Sequence, residues 1–223
     1  FGGSDGTLDT TVCGPLQGDD QSVSIDAASY AGQTSTISVN GATALTDGNY
    51  RLLVCASLED VAGNTLDGDG NGIGGDDFSR SFRVDLTPPT VVVVDTVADT
   101  GDGVLSELEP TNVAITELVV TFDEDVVGGE DASNFLLVEG GLDGTLDTTD
   151  CGPLAGDDAS ITIDSATYAS LTSTLALNGG APLGDGNYRL LACASLTDLG
   201  GNALDDDDDD DGNDDFARTF TVD

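Results

Sequence analysis

The sequence predicts an all-β fold made of antiparallel β-sandwiches that follow one another along the chain. Short runs of Val, Ile, Leu and Phe recur between clusters of turn residues, and no segment shows a convincing 3.6-residue period. The acidic residues are 36 Asp and only 7 Glu, beside 30 Gly. Because Asp and Gly favour turns whereas Glu favours helices, we expect strands joined by Asp/Gly loops.

The chain is strongly acidic, which limits its partners. Its 223 residues include 43 Asp and Glu against 5 cations, all Arg, for a formal net charge of −38. This surface excludes nucleic-acid binding and disfavours an anionic membrane, because no basic patch can neutralise phosphates. No apolar run approaches the roughly 20 residues of a membrane span. The hydrophobic content of 38% favours a folded chain, and the excess carboxylate suits either divalent cations or solvation in high salt.

A long internal repeat organises the chain. Residues 5–85 match residues 143–223 at a constant offset of 138 without a gap, and roughly 50 of the 81 aligned residues are identical. The complete unit therefore spans residues 86–223. We expect two domains: residues 1–85, the C-terminal part of a repeat whose first three strands are missing from the chain, and residues 86–223, a complete repeat. Pro88 and Pro89 make the linker short and stiff.

Seven runs in the complete repeat have the length and composition of strands. They are residues 90–95, 113–122, 134–138, 160–164, 173–177, 188–194 and 216–222. The last run alternates: one face carries Phe216, Arg218, Phe220 and Val222, and the other carries Ala217, Thr219 and Thr221. Seven short strands bounded by turns favour an antiparallel sandwich, and residues 1–85 carry counterparts of the last four.

The first copy should therefore expose apolar side chains that a complete repeat covers. The inner-face residues concerned are Leu52, Val54, Phe78, Phe82 and Val84. Exposed apolar surface and an unpaired sheet edge are aggregation liabilities, so we expect a partner to cover them. The expected partners are further repeats of the same parent chain or copies of the protein itself, either stacked or exchanging strands.

Five phrases occur in order along the complete repeat: TPPTVVVVD, LVVTFDEDV, ASNFLLV, DGNYRL and D-x-x-G-N-x-L. In this order they resemble the bacterial Ig-like domains of surface-layer and large secreted repeat proteins. The resemblance implies tandem Ig-like sandwiches that act as spacer or assembly modules without catalysis. The Cys pair and two Asp-rich insertions depart from the simplest family members.

The four cysteines form two pairs, Cys13 with Cys55 and Cys151 with Cys193, each 42 residues apart at the same place in its copy. This regularity predicts one disulfide per repeat and hence an oxidising location, extracellular or at the cell surface. The alternative is four buried free thiols. No CxxC metal motif and no N-glycosylation sequon occurs.

A loop near the end of the first copy has the opening half of an EF-hand calcium loop, Asp67-Gly-Asp69-Gly-Asn71-Gly. Oxygen ligands at alternate positions converge on one ion, and the Gly makes the sharp turn. The closing Glu of an EF-hand is absent, so Asp76 or Asp77 would have to complete the shell. The loop therefore predicts bound Ca²⁺, and a solvated acidic loop is the alternative.

The second copy keeps the alternate carboxylates of this loop, Asp205, Asp207 and Asp209, inside a run of seven consecutive Asp. Asp214 and Asp215 follow, at the places of the closing pair in the first copy. Adjacent carboxylates repel strongly without counterions, and a Ca²⁺ ion would make the run tolerable. We therefore expect a calcium site here as well.

A third acidic loop, Asp99-Thr-Gly-Asp102-Gly-Val-Leu-Ser-Glu107-Leu-Glu109, resembles an EF-hand loop with one residue deleted. The candidate ligands are Asp99, Asp102, Glu107 and Glu109, and the deletion leaves open which of them would bind. A calcium site and a solvated loop are equally compatible with this pattern.

The sequence predicts a protein without enzymatic activity. It contains no His, the usual acid–base residue at neutral pH, and no Ser or Cys with a plausible nearby base. A carboxylate pair could hydrolyse a glycoside, but Trp is absent and aromatic residues make up only 5% of the chain. Two hypotheses remain: a structural repeat of an extracellular fibre, surface layer or stalk, or a calcium-dependent adhesin or accessory binding module. High identity between adjacent copies favours the first.

Overall fold

A computed structural model describes residues 1–96, 104–206 and 214–223 and confirms that the protein is all-β. The chain divides into two compact units, a first unit, Phe1–Leu86, and a second unit, Thr87–Asp223. Helical structure in the described residues is confined to three short 3-10 turns, Asn40–Ala42, Ala132–Asn134 and Asn178–Gly180. No helix in the described part of the chain is both long and apolar enough to cross a membrane.

The first unit consists of two antiparallel hairpins. The strands are β1 (Ile25–Ala31), β2 (Thr34–Val39), β3 (Gly48–Val54) and β4 (Phe78–Val84). β1 pairs with β2 through a two-residue turn, Gly32–Gln33, whose φ angles of 57° and 68° match the twist of a tight hairpin. β3 pairs with β4 from end to end, and the long Asp-rich insertion lies between these two strands.

The second unit contains two larger sheets. Its strands are β5 (Val91–Thr96), β6 (Glu109–Thr111), β7 (Glu117–Phe122), β8 (Val126–Val127), β9 (Phe135–Glu139), β10 (Ala159–Ile161), β11 (Ile163–Ala169), β12 (Thr172–Leu177), β13 (Gly186–Ala192), β14 (Thr197–Asp198) and β15 (Phe216–Val222). One sheet has the order β10-β9-β13-β15-β6 and the other β11-β12-β7-β5, while β8 and β14 form a small ribbon. All pairs are antiparallel except β15 with β6.

Two predicted strands differ from the observed ones. The run 160–164 divides at Thr162, because Ser160 pairs with β9 in one sheet whereas Ile163 pairs with β12 in the other. The chain thus changes sheets at this corner. The run 113–122 becomes a strand only at Glu117, and the backbone of Ile115 instead accepts a hydrogen bond from Leu183.

The core of the second unit is formed by side chains from both larger sheets. One sheet contributes Leu118 and Phe122 of β7. The other contributes Leu137 of β9, Leu190 of β13 and Phe220 of β15. All five side chains are fully buried or nearly so. The segment 87–142, which the first copy does not match, therefore supplies a large part of this core.

The two strand pairs of the first unit recur residue for residue in the second unit. β1, β2, β3 and β4 have the bounds of β11, β12, β13 and β15 at an offset of 138, with the same register and the same irregularity between β1 and β2. Their burial differs greatly. Ile37 is 38% exposed and Phe82 45%, whereas Leu175 and Phe220 at the matching positions are fully buried.

Candidate functional sites

Both predicted disulfides are present. Cys13 is bonded to Cys55 and Cys151 to Cys193, with Cα–Cα distances of 5.6 and 5.7 Å. Cys13 lies in the loop that precedes β1, and Cys55 directly follows β3; Cys151 and Cys193 lie at the matching places, before β10 and directly after β13. The prediction of one disulfide per copy is therefore confirmed, and the alternative of free thiols is excluded.

A carboxylate beside each disulfide holds the same two chain segments. Asp77 accepts hydrogen bonds from the backbone N–H of Cys13 at 2.6 Å and of Ala56 at 2.7 Å. Asp215 accepts the equivalent bonds from Cys151 at 2.5 Å and Ala194 at 2.7 Å. We call this arrangement, Asp77 or Asp215 with its two N–H donors, the carboxylate clamp.

The clamp engages both carboxylate oxygens of Asp77 and of Asp215. In each residue one oxygen accepts a hydrogen bond from a Cys N–H and the other accepts one from an Ala N–H. The hydrogen bond from Ala56, and next that from Cys13, lowers the pKa of Asp77 below its ordinary value of 3.8 because both stabilise the charged form. The clamp in the first unit therefore favours the ionised form of Asp77.

The Asp67 loop brings three of the predicted ligands together. Carboxylate oxygens of Asp67, Asp69 and Asp76 all lie within 4.8 Å of one another. Asp67 also accepts hydrogen bonds from the backbone of Gly70 and Gly72, at 2.8 and 2.7 Å, so the loop is wrapped around this carboxylate. Convergent oxygens on a tight Gly-rich loop are a donor set that Ca²⁺ can use.

Asn71 takes part in the same loop through its side chain. Its amide nitrogen donates to Asp69 at 2.9 Å, and its oxygen accepts from the backbone of Ile73 at 2.8 Å. Of the two candidates for closing the shell, Asp76 is the one beside Asp67 and Asp69, because Asp77 forms the clamp. Spacing alone could not separate these adjacent residues.

The corresponding loop of the second unit is described only at its ends. Asp205 is buried, with 2% of its surface exposed, and its backbone N–H donates to Pro89 at 3.1 Å. Asp214 is exposed, and its N–H donates to Leu204 as that of Asp76 does to Leu66. Asp207 and Asp209, also predicted as ligands, lie outside the described residues.

The third acidic loop is likewise described in part, since Asp99 and Asp102 lie outside the described residues. Glu107 accepts a hydrogen bond from the backbone of Thr219 at 2.8 Å, and Glu109 accepts one from Ser106 at 2.7 Å. The contact of Glu107 fastens the end of the loop to β15, next to the parallel β6 strand, whereas that of Glu109 lies within the loop.

A carboxylate cluster near the start of the first unit was not predicted. Asp5, Asp9 and Asp19 have oxygens within 4.8 Å of one another and are all exposed. Asp19 accepts hydrogen bonds from the backbone and hydroxyl of Ser4, and these bonds, the hydroxyl first, lower the pKa of Asp19. The sequence suggested only turn residues here, because the fold brings together carboxylates that are up to 14 residues apart.

The first unit also contains an open apolar slot. We define the slot by its two walls, residues 21–23 on one side and β3 on the other, with Phe1 at one end. A cavity of about 420 Å³ lies against these walls and against Ile37, Leu45 and Phe82. The expected exposure of inner-face residues is therefore found for Phe82, and for Phe78, which is 40% exposed.

The other inner-face residues of the first unit, Leu52, Val54 and Val84, are half-buried. Their counterparts Leu190, Ala192 and Val222 are buried in the second unit. The inner face is therefore only partly shielded by the residues of its own unit.

Phe1 occupies a defined place in the slot. Its ammonium donates to the carbonyl of Gln21 at 3.1 Å, and the N–H of Gln21 donates back to Phe1 at 2.9 Å. In the second unit Glu139, the last residue of β9, pairs in the same way with Ala159. Phe1 therefore stands at the register of Glu139, and the slot corresponds to the rest of β9.

Comparisons with protein-family models, with curated proteins and with solved structures found no match.

Proposed function

We propose that the chain is a structural protein of tandem Ig-like β-sandwiches, stabilised by calcium, that builds an extracellular fibre, surface layer or stalk. The observation that carries this proposal is the repetition of one disulfide and one carboxylate clamp at an offset of 138. Covalent and charged fastening at the same place in each copy suits a module that bears load. Adjacent copies of high identity suit a uniform array.

The location and the absence of catalysis are part of the same proposal. Disulfides persist in oxidising compartments, which supports an extracellular or cell-surface protein. The chain has no His, and the acidic residues with described contacts mostly accept backbone hydrogen bonds, many of them within turns. These features favour a scaffold over an enzyme.

Calcium is proposed as the cation of the Asp67 loop. Three carboxylates within 4.8 Å repel one another strongly, and a divalent cation that binds only the folded loop would raise the free energy of unfolding. Chelation should therefore lower the melting temperature, and Ca²⁺ should restore it at concentrations where Na⁺ of matched ionic strength does not. If Na⁺ restores the melting temperature equally well, the acidic residues serve only to solvate the protein in high salt.

A matched pair of substitutions separates a site from general charge repulsion. D69N removes one carboxylate of the cluster, whereas E130Q removes one exposed carboxylate elsewhere. We expect D69N to abolish most of the Ca²⁺-dependent rise in melting temperature in the first unit and E130Q to preserve it. The same loss in both variants would contradict a localised site.

The structural role is tested on the native material. Immunogold electron microscopy of producing cells, with antibodies against the chain, should label fibres, a surface layer or stalks that stand outside the cell. Label confined to the cytoplasm, or to dispersed secreted particles, would contradict the proposal.

The second candidate function is a calcium-dependent adhesin or accessory binding module. The open cavity of about 420 Å³ in the first unit favours it, because ligand sites are concave and mostly apolar. An adhesin would appear in the same microscopy as single modules bound to a target surface and not as a continuous array.

A further inference from the structure

We infer that Asn71 is a self-modification site, at which the folded Asp67 loop converts the side-chain amide into a carboxylate by spontaneous deamidation. The reaction needs an Asn whose side-chain carbon the backbone nitrogen of the next residue can reach, and Gly hinders that approach least. Asn-Gly occurs three times in the chain, at Asn40, Asn71 and Asn178. The three sites differ in their hydrogen bonds, and Asn71 has the set that the reaction uses.

The reaction is an intramolecular acyl transfer. The backbone nitrogen of Gly72 attacks Cγ of Asn71, so that an N–Cγ bond forms, the nitrogen loses its proton and negative charge develops on Oδ1. The Cγ–Nδ2 bond then breaks, and Nδ2 takes up that proton and leaves as ammonia, which closes a succinimide ring. Water opens the ring at either carbonyl and leaves aspartate or isoaspartate at position 71.

Hydrogen bonds of the Asp67 loop serve each part of this reaction. The N–H of Gly72, which must lose its proton, donates to a carboxylate oxygen of Asp67 at 2.7 Å. The N–H of Ile73 donates to Oδ1 of Asn71 at 2.8 Å, where it stabilises the oxyanion as it develops. The leaving nitrogen, Nδ2, donates to Asp69 at 2.9 Å.

The hydrogen bond from Ile73 also restrains the two reacting atoms. It closes a turn between the side chain of Asn71 and the backbone two residues on. The ring that this bond closes contains both Cγ of Asn71 and the nitrogen of Gly72. Holding two reacting groups together in this way removes part of the entropy cost of their meeting.

The other two Asn-Gly sites share a different arrangement. Asn40 and Asn178 each begin a 3-10 turn, with positive φ angles of 56° and 52°. Their side-chain nitrogens donate to carbonyls of the turn, Thr43 at 3.1 Å and Ala181 at 3.3 Å. The N–H of the following Gly again donates to a carboxylate, but no N–H of the described residues donates to Oδ1 of either Asn. The oxyanion donor therefore distinguishes Asn71.

The product changes the carboxylates of the loop. Deamidation adds a negative charge beside Asp67 and Asp69, and the residue that matches position 71 in the second copy is Asp209. The aspartate product thus gives the first copy the same alternation of carboxylates as the second. This consequence for cation binding rests on the proposed function, whereas the modification itself does not.

The test follows the three sites in one sample of the full oxidised chain, kept in EDTA at neutral pH. Reduction and cleavage after Arg then place Asn40, Asn71 and Asn178 on separate peptides, 1–51, 52–80 and 84–189. Tandem mass spectrometry measures the converted fraction at each Asn. We expect Asn71 to convert at least about tenfold faster than the other two, a modest share of what an aligned oxyanion donor contributes. Equal rates, or a slower rate at Asn71, would overturn the inference.

The unfolded chain is the control for local sequence. In concentrated urea with both disulfides reduced, the three sites keep their Asn-Gly bonds and lose the contacts of the fold. We therefore expect their rates to converge. A preference for Asn71 that persists undiminished in the unfolded chain would assign it to the neighbouring residues along the sequence and overturn the structural argument.

Two substitutions at one position isolate the oxyanion donor. I73P removes the N–H that donates to Asn71, whereas I73A keeps it. I73P should slow the conversion about tenfold or more, and I73A should leave it within about twofold of wild type. Equal rates in the two variants would overturn the inference. If hydrogen exchange in β3 and β4 shows that I73P unfolds the first unit, D67N, which removes the carboxylate that meets Gly72, replaces it, and an unchanged rate would count equally against the inference.

Added calcium separates this inference from the proposed function. If the Asp67 loop binds Ca²⁺ as proposed, excess Ca²⁺ should slow the conversion of Asn71, because the ion would engage Asp67 and the side chain of Asn71. Conversion in EDTA that Ca²⁺ does not slow would contradict the calcium site and leave the modification intact. No conversion in EDTA, together with a Ca²⁺-dependent rise in melting temperature, would overturn the inference and leave the calcium site intact.

Discussion

The repeat offers a matched pair of substitutions, F220A in the second unit and F82A in the first. Phe220 is fully buried and stacks on Tyr188 with ring centroids 5.5 Å apart. Phe82 stacks on Tyr50 at the same 5.5 Å but is 45% exposed. The ring contact is thus held constant while the burial changes.

The expected costs follow from that difference. Replacing a buried Phe by Ala costs about 3–5 kcal/mol, from the lost transfer free energy and the cavity left behind. F82A removes a ring that is buried over little more than half its surface and borders an open slot, so it loses about half of a transfer term of about 2–3 kcal/mol and creates no sealed cavity. We expect about 1–1.5 kcal/mol for F82A.

Urea titration followed by NMR, with resolved amides in β4 and β15, reports the free energy of unfolding of each unit separately. The E130Q variant serves as a control for both. Equal costs of F82A and F220A would refute the reasoning, because they would mean that the inner face of the first unit is as well covered as that of the second.

The clamp, the disulfide and the calcium loop give three further predictions. Because hydrogen bonds from Ala56 and Cys13 lower the pKa of Asp77, its stabilisation is present above pH 3.8 and is lost as the pH falls through the folded pKa. D77N should therefore destabilise the first unit at pH 7 in the absence of Ca²⁺, and its deficit relative to wild type should shrink below about pH 4 in thermal melts; a constant deficit would contradict the clamp. D76N should do the opposite, leaving the Ca²⁺-free stability intact and weakening the response to Ca²⁺ in calorimetric titration. Removing the Cys13–Cys55 bond, which spans 42 residues, should cost the first unit about 4 kcal/mol in urea titrations, and a loss under about 1 kcal/mol would contradict the chain-entropy argument.

The larger strands could be predicted from the sequence because their side chains alternate against a core. β15 was predicted with its observed bounds, and β5, β12 and β9 to within a residue or two. The short strands β6, β8 and β14 were not predicted, since two or three residues carry no periodicity. The corner at Thr162 was also missed, because a chain that changes sheets keeps its apolar pattern while its pairing partner changes.

The candidate sites show the same limit. The disulfides could be predicted because the cysteines have the same spacing in both copies, and spacing can be read directly from the sequence. The division of labour between Asp76 and Asp77 did not follow, because adjacent residues point in different directions and only the fold decides which one meets Cys13. The cluster of Asp5 and Asp19 was missed for a related reason, since a loop closure brings its members together.

Cryo-electron microscopy of the assembled native material tests the central claim most directly. The account predicts a regular array of β-sheet units in which protein covers the apolar inner face of each unit that corresponds to residues 1–86. Units that do not form an array, or an array in which the edge of β3 and the cavity beside Leu52 and Phe82 remain open to solvent, would contradict it.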